Sequence, residues 1–319
     1  MAINKQEVVE TAVDSTEVSA PPMGFSVIVR EFKKDKVALG ALIILVAILA
    51  LSAIWSIRLD WERVMEVDIL SHFRSPEPFS FDKLIAAWNG EKTYIMGGDE
   101  FGRDVFLQIF IATGVSVLIA FAVTTIIAAI GITLGLISGY YGGKVDSAIM
   151  RFNDFVMTLP VTMIIIAFLV VVADQSVWTF IFIMSIFSWT GYARIVRSKA
   201  LSEGRLDYIS ASKTMSTPTY KIILNEMLPN LSSLITVQLI LSYAANIGLE
   251  TGLTFLGFGL PDGTPSLGRM VSAANTPYNL EFRPWVWLPA STVILVLMLC
   301  INYVGQALKR SIDAKQRLG

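Results

Sequence analysis

The stretch from Arg205 to Pro229, RLDYISASKTMSTPTYKIILNEMLP, gathers charge and hydrogen-bonding groups inside an otherwise apolar second half of the chain. Arg194, Arg197, Lys199, Arg205, Lys213 and Lys221 lie in or beside it, and a Lys/Arg excess next to apolar spans marks the cytoplasmic side of a membrane. The chemistry open to such an island is recognition by another molecule in the cytoplasm. Bond-making chemistry has few candidates. The single Cys300 excludes an internal disulfide, and with the single His72 it leaves no His/Cys metal set. No paired carboxylates stand out as an acid–base couple. No G-x-x-x-x-G-K-[ST] phosphate loop occurs, so the chain has no site for ATP of the usual kind. The expectation is a protein that is not an enzyme, with no cofactor and no metal.

The island itself reads as two short helices. Leu206, Ile209, Ser210 and Lys213 step as one helix face would, which predicts a helix over Tyr208 to Met215. Thr217-Pro218 offers an N-cap and a proline at the first helical position, which predicts a second helix from Thr217 to Leu228, ahead of Pro229. The plainer reading is a helical hairpin resting on its own bundle or on headgroups. Within the apolar runs, Glu250 most needs a partner, because a charged group in lipid is costly. It and Asn246 either line a polar path or form a hydrogen-bonded lock between helices, and the lock is preferred. Gly131, Gly135 and Gly139 recur every four residues, as do Gly248 and Gly252, the spacing that lets membrane helices approach closely.

The elements that must position these residues are transmembrane helices. The chain has 319 residues, 54% hydrophobic and 16% charged, with mean hydropathy +0.62, which is too apolar for a soluble fold of this size. A net charge of -1 gives no hint of nucleic acid. Residues 1–30 carry acids and Pro21-Pro22 without the apolar core of a signal peptide, and read as a disordered cytoplasmic tail. The first span, 31–57, has its apolar run from Val37 to Ile57. Residues 58–111 are too polar for lipid and form an outer loop domain, in which Asp99, Glu100 and Asp104 are candidate helix caps. Five further runs near 113–137, 152–173, 177–196, 231–256 and 286–307 each reach the roughly 20 residues that a ~30 Å hydrocarbon core demands. The third holds Pro160 and the sixth Pro289, which packed membrane helices tolerate. Six spans place 17 of the 25 Lys and Arg inside, with both termini cytoplasmic, a five-helix core over 112–308, a cytoplasmic loop over 197–230 and a tail over 309–319.

At this point the residues resemble a known family. The central loop is similar to the "EAA" loop of bacterial ABC importer permeases, Glu-Ala-Ala, three residues, Gly, then an apolar-Leu-Pro ending. It stands here as Ser210-Ala211-Ser212, Ser216 and Met227-Leu228-Pro229, with serine at three signature positions. Gly98 to Asp104 (GDEFGRD), Gly139 to Asp146 (GYYGGKVD) and Leu253 to Gly259 (LTFLGFG) resemble stretches of the C-type permease subunit of oligopeptide and dipeptide importers, in the family's order, with Gly98 where the family has threonine. The resemblance runs from about Phe32 to the C-terminus.

The resemblance implies an all-α membrane protein with the ABC importer type I permease fold, located in the bacterial cytoplasmic membrane. It implies half of a translocation pore for oligopeptides or dipeptides, and a coupling loop made by Tyr208, Ile209, Ser210, Ala211, Ser212, Met215, Ser216, Pro218, Met227, Leu228 and Pro229. Ile209, Met215 and the Pro218 helix are expected to carry docking, since Ser210 lacks the family's acid. The glycine stripes would lie in spans that line the path and meet the partner permease. The implied partners are a second, distinct permease, two cytoplasmic ATPase subunits that hold ATP and Mg, an external peptide-binding protein, peptide and lipid. Rival readings are an importer for nickel or another small solute, an ion-coupled secondary transporter, for which no convincing internal repeat is seen, a membrane enzyme, and a passive channel or scaffold.

Overall fold

The computed structural model describes residues 30, 32–172, 176–261 and 263–318, so the expected tail over 1–30 lies outside the described residues except for Arg30. Among the described residues there are helices, loops and one isolated antiparallel bridge between Gly98 and Asp104. Helix α1, Lys36–Arg58, starts where the Asp35 carboxylate accepts hydrogen bonds from the amides of Val37 and Ala38, at 3.1 and 3.0 Å. Two short helices follow, α2 (Trp61–Met65) and α3 (Phe81–Trp88).

Helix α4, Val105–Tyr141, is 37 residues long, about 55 Å at ~1.5 Å per residue, and so projects beyond the ~30 Å hydrocarbon layer. Its start is set by the two aspartates that the sequence offers as caps. Asp104 is buried; one oxygen accepts from the amides of Phe106 and Leu107, and the other from the amides of Thr93 and Tyr94 at 2.6 and 2.7 Å. Asp99 accepts from the amides of Phe101 and Arg103, both at 2.8 Å, and from the Gln108 side chain at 3.0 Å. Glu100, also a candidate cap, offers only its carbonyl, 2.6 Å from His72 Nδ1. The helix stops at Gly142 and Gly143, whose φ values of 61° and 53° suit residues without a Cβ.

The expected third span, 152–173, is not one rod. Helix α5 (Gly143–Thr158) and helix α6 (Val161–Val171) meet at 76°. Leu159, just before Pro160, is extended at φ -80°, ψ 142°, the region to which a following proline pushes its neighbour. Helices α7 (Val177–Ser188) and α8 (Thr190–Glu203) bend by 44° at Trp189. Helix α9 is Asp207–Thr214. The expected second loop helix does not end before the fifth span; both belong to one continuous helix α10, Thr219–Phe255. A π turn over Ile222–Met227 widens the helix just ahead of Pro229, which relieves the clash that a proline ring makes with the preceding turn. After the short helices α11 (Leu267–Ser272) and α12 (Pro277–Phe282), helix α13 runs over Pro284–Leu318, through Pro289 and through residues 309–318 of the expected tail. Among the described residues four helices are long and apolar enough to cross a membrane, or up to six spans if each bent pair counts as one.

The main core joins α4, α6, α7, α8 and α10 through buried Val123, Ile127, Ile165, Phe180, Met184, Val196 and Leu231. At its centre the glycine stripe of α4 faces α8 of the same chain. A Cβ placed on Gly131 would sit 2.8 Å from Tyr192 Cβ, one on Gly135 would sit 2.7 Å from Val196 Cβ, and one on Gly139 would collide with Ala200. Tyr192, Val196 and Ala200 repeat every four residues and fill the stripe from within the chain, so its close approach is to α8. In α10, Gly248 sits against the flexible end of Met298, whereas Gly252 has nothing within 4 Å of an added Cβ, so the second stripe is a close contact at one position only.

Gly135→Leu should therefore lower the melting temperature of the purified protein and abolish transport, since overpacking costs about 1–3 kcal/mol. Gly252→Ala should leave the melting temperature unchanged. Equal thermal stability of the Gly135→Leu variant and the parent would overturn the close contact.

Candidate functional site

Helix α9 lies on a buried apolar base. Ile209 is 0% exposed and packs with Ile222 and Met227, both also fully buried, as part of the main core. Ile209 thus holds the helix down and is closed to any partner, which corrects its expected role in docking. The outer face is left to exposed Leu206, Tyr208, Ser210, Ala211, Met215, Pro218 and Tyr220, with Leu224 on the next turn. Leu228 is partly buried, and Pro229 is exposed where the π turn gives way to the α-helical part of α10.

Polar contacts fix the island's edges. The Tyr208 hydroxyl donates to Glu203 at 2.5 Å and accepts from Asn230 at 2.7 Å. Burial pushes the Tyr208 phenol up to about 12, so it stays a proton donor to Glu203 at neutral pH. Ser212 donates to both oxygens of Glu226, at 2.9 and 2.8 Å, and the Lys213 ammonium sits 4.8 Å from the centre of the Tyr140 ring at the end of α4. Arg197 on α8 pairs with Asp146 on α5, and Ser138 of α4 donates to the same carboxylate. Glu226 has no place in the sequence reading of the site. It brings an acid to the loop from 14 residues beyond Ser212, at a position that the family pattern leaves unspecified.

The α9 to α10 turn explains one departure from the family pattern. Ser216 has φ 58°; the Thr217 amide donates to the Ser212 carbonyl and the Ser216 amide to the Lys213 carbonyl, each at 3.1 Å. These two bonds make a Schellman ending with Ser216 in the left-handed place that glycine usually takes. The Thr217-Pro218 cap is shifted by one residue: Pro218 is the N-cap residue, α10 starts at Thr219, and no side chain caps it.

The buried polar residues of α10 form two separate groups. Asn246 donates to Thr124 of α4 at 2.9 Å and borders a recess of about 230 Å³ lined also by Tyr192, Gln238 and Ser242. Glu250 is 0% exposed; Thr254 donates to one oxygen at 3.2 Å and Thr251 to the other at 3.4 Å, with Ser116 and Ser266 beside it. Ser116 in turn accepts from the Leu267 amide at 3.1 Å. α4, α10 and the start of α11 thus converge on one carboxyl group. Among the described residues no group of three His, Cys, Asp or Glu is placed to hold a metal.

Ser216→Gly should raise the melting temperature by relieving the left-handed serine, a gain of about 0.5–1 kcal/mol, while Ser216→Val should cost about 1 kcal/mol or more. A lower melting temperature for the Ser216→Gly variant would show that this turn is not left-handed.

Residues 131–318 match the family described as binding-protein-dependent transport system inner membrane component. The chain is 43% identical over 286 residues to the oligopeptide transport system permease protein OppC of Lactococcus lactis subsp. lactis, covering 90% of this chain and 93% of that one. It is 30% identical to the dipeptide transport system permease protein DppC of Lactococcus lactis subsp. cremoris, covering 95% and 94% of the two chains, and 30% identical to OppC of Bacillus subtilis, covering 90% and 88%. The chain belongs to the family of binding-protein-dependent transport system inner membrane components.

Proposed function

We propose that this protein is half of the translocation pore of an ABC importer for oligopeptides or dipeptides, and that α9 is the element through which ATP hydrolysis on separate subunits drives it. The observation that carries this reading is a short helix with a sealed apolar underside and an exposed outer face, joined to one unbroken helix that runs the length of the core. Its relatives carry oligopeptide and dipeptide transport in their names. The partners are a second permease chain, two cytoplasmic ATPase subunits that bind ATP and Mg, and an external peptide-binding protein that delivers peptide. In this reading six spans, with the two bent helix pairs as the third and fourth, keep both termini on one side of the bacterial cytoplasmic membrane, and the Lys/Arg excess supports taking that side as the cytoplasm, with residues 58–111 outside.

Mechanically, a groove on an ATPase subunit receives Leu206, Met215 and Tyr220 as a helix laid into a hydrophobic slot. Because Ile209, Ile222 and Met227 lock α9 to the base of α10, displacement of the loop moves α10 as a body. Asn246 and the recess beside it lie about five turns beyond Met227 on the same rod, at ~3.6 residues per turn, and move with it. Glu250 acts as a lock between helices, since Ser116 of α4 and Ser266 ahead of α11 lie beside a carboxyl group whose oxygens Thr251 and Thr254 of α10 already engage.

Ala211 is exposed, so Ala211→Arg does not disturb the base of the loop. The variant should insert normally yet lose ATPase co-purification and peptide uptake; retention of both at the parent rate would remove α9 from the docking surface. Orientation is tested separately in a Cys300→Ala background. A cysteine at exposed Ser75 should react with an impermeant thiol reagent on intact cells and one at exposed Ser202 should not, and the reverse labelling would invert the topology.

A further inference from the structure

Where α1 reaches its C-terminal end, three elements leave an apolar groove open on the side of the molecule. Its walls are Leu51 and Trp55 of α1, Ile85 and Trp88 of α3, and Phe106 and Phe110 of α4, around about 380 Å³. The floor is rigid aromatic surface: Trp55 stacks on Phe110 with ring centres 4.5 Å apart and meets Trp88 edge-on at 5.4 Å. The Arg58 guanidinium lies at the rim, 4.7 Å from the centre of the Trp88 ring.

We propose that this groove is a phospholipid site, which takes one acyl chain along Leu51, Ile85 and Phe110 and holds the lipid phosphate at Arg58. Three observations choose this occupant. The groove is continuous with the exposed apolar side of α1, where Leu51, Ile54 and Ile57 are 50, 48 and 86% exposed, a surface that a membrane span turns toward hydrocarbon. Helix α3 has Phe81 and Ile85 exposed on one side, while Lys83 is turned to an ion pair with Glu77. It lies where an interfacial amphipathic helix sits, with tryptophan and arginine at headgroup level. Finally, Arg58 has no carboxylate partner among the described residues. A lipid phosphate supplies the counter-charge, whereas an apolar helix of a partner chain pressed onto the groove would bury that guanidinium unpaired.

The test uses the full chain with its co-expressed subunits in nanodiscs, with a phosphatidylglycerol that carries a diazirine near the end of one acyl chain. Adducts are mapped by mass spectrometry after illumination. Labelling of the Leu51 to Arg58 and Phe81 to Trp88 segments should saturate as the probe fraction rises, while labelling near the exposed Ile43 and Val46 should rise linearly. Ile85→Asp should lower the saturable yield about tenfold, the effect expected when a charge takes the place of two or so buried methylene groups. Arg58→Gln, which leaves the groove's apolar walls in place, should lower it several-fold even if the Ile85→Asp variant inserts poorly. Linear labelling of the groove, a yield unchanged by Arg58→Gln, or a groove shielded from the probe by the second permease would each overturn the proposal.

Discussion

Lipid tails are as apolar as leucine, so the helices of this protein gain little from burying greasy surface against each other and must instead fit closely. The seam between Gly131, Gly135 and Gly139 of α4 and Tyr192, Val196 and Ala200 of α8 is where that demand is met most strictly. The rest of the core depends on it. Tyr192, held in the seam, donates to the Ile235 carbonyl of α10 at 3.0 Å and so sets the third helix of the core against the first two. At its far end the same seam finishes at Ala200, immediately before α8 turns into the loop that carries α9. The position of the loop is thus inherited from glycine packing deep in the bundle.

What the sequence made legible was local chemistry. Asp104 and Asp99 could be read as caps because a carboxylate ahead of an apolar run has few other uses, and the glycine spacing announced a close approach. The direction of that approach was not legible. Which helix fills a glycine groove depends on partners far away in the chain, and the matching stripe at Tyr192, Val196 and Ala200 is made of residue types that look like ordinary span. Pro160 was readable as an interruption, but not as a turn of 76°, because that angle is set by how α6 and α7 pack afterwards.

The loop gives a finer case. Its two helices are visible from spacing and from Thr217-Pro218, yet the sequence pattern assigns Ile209 to the outside and ends the second helix at Leu228. Both errors have one cause. An isolated helix of this length shows one apolar side, and nothing local says whether that side meets a partner or the chain's own core. Ile222 and Met227 decide it, by closing over Ile209 from a helix that a π turn allows to continue past Pro229. The serine at 216 is similar: the family pattern marks a glycine there, and the geometry supplies the reason, a left-handed residue in a Schellman turn that serine occupies at some cost.

The placement of polar groups along α10 then gives this helix its character. A single continuous rod runs from Thr219 to Phe255, with the loop anchored at one end, Asn246 beside a polar recess further along, and the fully buried Glu250 close to the other. Asn246 and Glu250 are both engaged by hydroxyls of a neighbouring turn or helix, so neither is left to pull water or an ion into the bundle. The contacts of Glu250 are hydroxyls with short side chains, and Ser116, which lies beside it, also holds the first amide of α11. A tilt of α10 against α4 strains the Asn246–Thr124 bond, whereas the Thr251 and Thr254 bonds to Glu250 lie within α10 and move with it. Asn246 and Glu250, four residues apart and so about one turn from each other, therefore face α4 at Thr124 and Ser116, and these two polar contacts fix the register of α10 against α4 where the glycine seam of α4 does not reach.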